Sequence, residues 1–72
     1  MQTPLDATSK SIGKQVLVTL KNAERTYRGK LIAIDMHLNV VLESTEEMIN
    51  GEVKRQLGKC IIRGDNVMFI SL

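Results

Sequence analysis

From Gly13 onward apolar residues recur at every second position. Val16, Val18 and Leu20 alternate with Gln15, Leu17, Thr19 and Lys21, as in a strand that buries one face. A polar turn at Asn22-Ala23-Glu24-Arg25 follows, then a second strand over 26–34 with Tyr27, Gly29, Leu31 and Ala33 on one face. The loop Asp35-Met36-His37-Leu38-Asn39 separates it from a third strand over 40–43. Asn50-Gly51 is a strong hairpin signal, because both residues tolerate the left-handed backbone that a two-residue turn requires. A fourth strand over 53–62 is interrupted by Gly58, Arg63-Gly64-Asp65 is a tight turn, and a fifth strand over 66–72 closes the chain. The acidic run over 43–52 reads as a solvated hairpin tip.

Ahead of Gly13 the pattern differs. Thr3 can cap a helix, Pro4 suits its first position and Asp6 favours its positive end, so the spacing predicts a short helix over 3–12. Leu5, Thr8, Ser9 and Ile12 share one face of it, and Gly13 ends it. Gly29 and Gly58 fall inside strands, where glycine marks a bend or bulge. The fold class is therefore mostly β: a short N-terminal α-helix followed by a strongly bent five-stranded antiparallel sheet curled into a small open barrel.

Seventy-two residues make a single domain, 1–72. A chain of this length buries only about 60% of the surface its unfolded form exposes, so its core is thin. Cys60 is the one cysteine and His37 the one histidine, which excludes an internal disulfide and a closed structural zinc site. Self-association remains as the supplement, and the free edges of an unclosed barrel invite it. No apolar run is long enough to span a bilayer and the N-terminus lacks a signal-peptide pattern, so a reducing cytoplasmic setting fits best.

Net charge is only +2. Residues 1–36 carry six Lys or Arg against three Asp or Glu, and residues 37–72 carry four against five. That asymmetry is too weak to grip a polyanion by bulk charge, so any nucleic-acid function must rest on a specific pocket.

Antiparallel succession supplies one. The loop around His37 and the turn at Gly64 both emerge at the same end of the sheet, bringing His37, Asn39, Arg63 and Asp65 within reach of one another. A flat imidazole and a flat guanidinium can form a slot for a planar base. The Asn39 amide offers a donor and an acceptor that match two groups of uracil, and the same amide turned over would match cytosine. Discrimination requires the amide to be held, and Asp35, Asp65 or a loop carbonyl could hold it. Both acids also suit turns on purely structural grounds. One stacked base contributes only about 1–3 kcal/mol. A ring of identical slots raises avidity by roughly 10²–10⁴.

The stretch Tyr27-Arg28-Gly29-Lys30-Leu31 with Asp35-Met36-His37-Leu38-Asn39-Val40-Val41-Leu42 resembles the first Sm motif, within about 14–43. Ile62-Arg63-Gly64-Asp65-Asn66-Val67 resembles the second, within about 57–71. The chain is thus similar to the Sm-like (Lsm) family over essentially its whole length, and most to its archaeal members. Leu38 stands where Met is common in the family. The resemblance implies the Sm fold, subunits joined through their fourth and fifth strands, and rings usually of seven, sometimes of six. It further implies that His37, Asn39 and Arg63 line a uridine pocket at the inner rim, with Gly64 and Asp65 shaping it. Asp35 completes the expected RNA-binding set, with the choice between Asp35 and Asp65 as the residue that orients Asn39 left open.

The expected function is that of a ring subunit, a homo-oligomer, holding uridine-rich single-stranded RNA in RNA processing or ribonucleoprotein assembly. No cofactor, metal or catalytic residue is expected: His37 has no Ser or Cys nucleophile beside it, no phosphate-binding glycine loop and no metal-ligand set. The rival reading is a ring scaffold that binds proteins and recognises RNA little. A cold-shock type of barrel is disfavoured, since it stacks bases on surface aromatics and this chain has only Tyr27 and Phe69, both expected in packing roles. Cys60 is expected to be buried and inert.

Overall fold

The structure, a computed structural model, describes residues 4–21 and 24–72. Thr3 as a cap and the turn at Asn22-Ala23 lie outside the described residues, as do the side chains of Leu5, Thr8 and Phe69. A six-residue helix α1 (Pro4–Ser9) leads into six strands: β1 (Gln15–Leu20), β2 (Arg25–Ile34), β3 (Val40–Ile49), β4 (Glu52–Gln56), β5 (Cys60–Ile62) and β6 (Val67–Ser71). All pairings are antiparallel, in the order β4-β3-β2-β1-β6, with β5 also paired to β3.

The helix is shorter than the pattern predicts. It stops at Ser9 and gives way to turns that run to Gly13, whose φ is +89° and whose N–H donates to the Leu31 carbonyl at 2.8 Å. Ser11, not Ile12, is the residue buried here, because the turn has rotated Ile12 toward solvent.

Two differences between pattern and structure lie in the second half. The expected fourth strand divides at Gly58 into β4 and β5, and these two pair with successive halves of β3. The acidic run is not a solvated tip. β3 continues to Ile49, and the turn shrinks to Asn50-Gly51 with φ of +52° and +82°, the two left-handed residues of a type I′ hairpin. Glu47 inside that strand is only 3% exposed. Its carboxylate accepts the Tyr27 hydroxyl at 2.8 Å and two Arg55 N–H groups at 2.9 and 3.0 Å. Beside it Glu46 accepts from Arg28 at 2.6 and 2.9 Å. Cross-strand register places arginines opposite both acids, and that pairing is what lets a run of carboxylates lie in a strand.

Gly29 produces the bend. The β2–β3 register shifts between Arg28 and Lys30, and a Cβ on Gly29 would sit 3.1 Å from both the Glu43 carbonyl oxygen and Thr45 Oγ1. Glycine allows the two strands to close on each other where the sheet folds over. Inside that fold lie Val16, Val18, Leu31, Val40, Leu42 and Ile62, with Leu20, Tyr27, Ile34, Val67 and Ile70 packed around them. The core is as thin as the length requires. β4 and β6 are the outer strands, every residue of β4 is exposed, and Ile61, Met68 and Val53 are 74%, 57% and 44% exposed. Cys60 is half-buried rather than buried, since its strand pairs with β3 along one edge only. No helix among the described residues is long and apolar enough to cross a membrane.

Candidate nucleic-acid interface

The loop 35–39 between β2 and β3 is closed on itself by Asp35. One carboxylate oxygen of Asp35, Oδ1, accepts the backbone N–H groups of His37 at 2.9 Å and Asn39 at 3.0 Å. The other, Oδ2, accepts the Asn39 side-chain N–H at 2.9 Å. Two backbone bonds complete the closure: Asp35 N–H to the Asn39 carbonyl at 3.2 Å, and Leu38 N–H to the Asp35 carbonyl at 3.0 Å. The turn is tight enough to hold Leu38 at a φ of +61°, a backbone region that a branched side chain disfavours. These donors, the Asn39 side chain first and then the two backbone N–H groups, hold the Asp35 carboxyl below the usual carboxylate range.

The second loop begins at Arg63 and forms one 3-10 turn over Gly64–Asn66. Gly64 donates its N–H to Asn39 Oδ1 at 2.6 Å. A Cβ at Gly64 would collide with the His37 carbonyl oxygen, so only glycine lets the loops approach this closely. Arg63 and Asp65, both largely exposed, form an ion pair at 3.3 Å.

All six residues singled out from the sequence thus meet at one end of the sheet. His37, Asn39, Arg63, Gly64 and Asp65 line an open hollow of about 450 Å³. Asp35 stands behind Asn39, and Asp65 pairs with Arg63 instead of the amide. Of the candidates for orienting Asn39, the structure places Asp35 against its N–H₂, and its oxygen is met by the Gly64 N–H, which was not among them. The amide is left with one N–H and one oxygen lone pair.

A second hollow, also about 450 Å³, adjoins the first and shares Asn39 and Arg63 with it. Asp35, Ala33, Val41 and Ile61 line it. The last three were not singled out from the sequence: for Val41 and Ile61 the period-two pattern carries the signal, since each neighbours a core residue and must face the other way, whereas Ala33 leaves the face of Leu31 through the register shift between them. No group of three His, Cys, Asp or Glu side chains suited to a metal ion occurs among the described residues.

The family model for the LSM domain matches residues 6–72. An snRNP Sm-like protein of Thermococcus sibiricus is 54% identical over 70 residues, covering 97% of this chain and 91% of that protein. Its counterpart in Pyrococcus furiosus is 53% identical over the same shares. Among solved structures, the Sm protein of Pyrococcus abyssi in complex with a uridine heptamer superposes with a TM-score of 0.92 at 50% identity, covering 97% of each chain. A heptameric archaeal Sm protein superposes with a TM-score of 0.83 at 46% identity, covering 90% of this chain and 93% of that one. With the domain model spanning both loops and half the residues shared with relatives, this chain belongs to the Sm-like (LSM) family.

Proposed function

We propose that this protein is a non-enzymatic subunit of a cytoplasmic homo-oligomeric ring, of seven copies, that holds uridine-rich single-stranded RNA at its inner rim. His37 and Arg63 flank the base, Asn39 reads its edge, and Gly64 and Asp65 shape the hollow. Its setting is RNA processing or ribonucleoprotein assembly.

The observation that carries this reading is the locked amide of Asn39. Its oxygen is tied to Gly64 and its nitrogen to Asp35. The remaining lone pair can accept the N3–H of uracil while the remaining N–H donates to the neighbouring carbonyl. Cytosine seated in the same place presents N3 as an acceptor and its amino group as a donor. The amide would have to turn over to meet it, breaking both tethers. Relatives support the wider frame, one solved with a uridine heptamer and one as a heptamer. The open edges at β4, β5 and β6, with Val53, Ile61 and Met68 exposed, suit pairing between copies.

The test is equilibrium binding of short oligouridine, oligocytidine and oligoadenosine to the wild type and to Asn39→Ala. A preference for uridine that the variant loses is expected. Binding indifferent to base and to the substitution would overturn the reading and leave a ring that serves proteins.

A further inference from the structure

The charges at this end of the sheet are balanced against a polyanion. Among the described residues that line the two hollows, Arg63 is the one with a fixed positive charge, while Asp35 and Asp65 are both acids. Lys21 bonds through its backbone N–H to the Asn66 carbonyl at 2.8 Å, yet it lines neither hollow. A phosphate at the slot would therefore have to be held by Arg63, and Asp65 stands against that guanidinium at 3.3 Å. An exposed ion pair of this kind contributes little to stability. Its effect on a ligand is larger. Asp65 lies inside the 3-10 turn Gly64–Asn66, whose Asn66 N–H donates to the Arg63 carbonyl at 3.1 Å. The backbone thus keeps the carboxylate beside the guanidinium even when their contact opens. A phosphate drawn by Arg63 meets Asp65 at nearly the same distance, and attraction and repulsion offset each other. A base carries no charge, so it stacks on the guanidinium plane without opposition from Asp65.

We infer that Asp65 is a specificity-determining residue that masks Arg63 from phosphate, so that the slot takes a strand by its bases and turns away polyanions as a class. The inference rests on the proposed uridine slot and deepens it. The two acids then divide the work. Asp35 fixes which base is read, and Asp65 ensures that a base, not a phosphate, is what the slot reads.

The experiment measures oligouridine and oligocytidine binding across a salt series, for the wild type and for Asp65→Asn, which keeps the size of the side chain and removes its charge. Each single-strand phosphate that a protein neutralises steepens the fall of log affinity with log salt by about 0.7. Asp65→Asn should steepen that slope by up to about 0.7 for every copy engaged, and at low salt it should gain affinity for both strands by the same factor. Inorganic polyphosphate, which carries charge without a base, should bind the variant at least about tenfold more tightly than the wild type. Thermal melts and native mass spectra of the two proteins should agree, since the side chain is largely exposed. Asp65→Ser removes the same charge with a different shape and should behave alike; a gain confined to one variant would overturn the mask. So would equal salt slopes and equal polyphosphate binding, and a uridine preference that persists alongside them would leave the base slot standing. Absence of that preference in the wild type would remove both.

Discussion

The side-chain oxygen of Asn39 accepts the backbone N–H of Gly64 at 2.6 Å, joining two loops that lie 25 residues apart in sequence. The contact exists because Gly64 carries no Cβ to strike the His37 carbonyl. Gly64→Ala should therefore push the loops apart, costing about 1–3 kcal/mol by urea unfolding, the usual range for overpacking. It should also abolish the preference for uridine over cytidine. A variant with wild-type stability and selectivity would show that the close approach is dispensable.

Glu47 should make the fold sensitive to acid. Bonds from Arg55, and then from Tyr27, lower its carboxyl from an ordinary 4.5 to about 2. Because the folded value is depressed, the stability it brings is fully present above about pH 4.5 and drains away as pH falls toward 2. Glu47→Gln should be less stable than the wild type at pH 7 and should show a flatter acid limb in thermal melts between those limits. Parallel acid limbs for the two proteins would locate the acid sensitivity elsewhere.

The exposed apolar residues of the outer strands give a third expectation. Met68→Glu in β6 or Val53→Glu in β4 places a charge on an edge where copies would pair. Native mass spectrometry should then show dissociation to smaller species. Affinity for long oligouridine should fall by roughly 10²–10⁴ as avidity is lost, while a single nucleotide binds as before. Retention of the full ring by both variants would count against these edges.

Much of this was legible from alternation and turn chemistry, which depend on near neighbours. Gly29 announced a bend and Asn50-Gly51 a hairpin, and antiparallel succession alone placed His37, Asn39 and Arg63 at one end. What stayed hidden depends on partners across strands. The acidic run looked solvated because nothing near Glu47 in sequence reveals that Tyr27 and Arg55 will face it. The choice between Asp35 and Asp65 was likewise closed to the sequence, since both suit turns and only the loop's own hydrogen bonds separate them.

That separation yields the sharpest prediction for the site. Asp35→Ala removes the acceptor for two loop N–H groups and for the Asn39 side chain, so the amide is free to turn over. Selectivity between oligouridine and oligocytidine should collapse toward unity, with cytidine binding gained as well as uridine binding lost. Asp65→Ala removes only an exposed ion pair with Arg63 and should keep the wild-type ratio. The depressed pKa of Asp35 adds a control in pH. Its acceptor role is intact above its ordinary 3.8 and is lost as pH falls through the lower folded value, so selectivity should be flat at neutral pH. Undiminished uridine preference in Asp35→Ala would mean that Gly64 alone fixes the amide, and the acid would be left with the loop backbone as its only task.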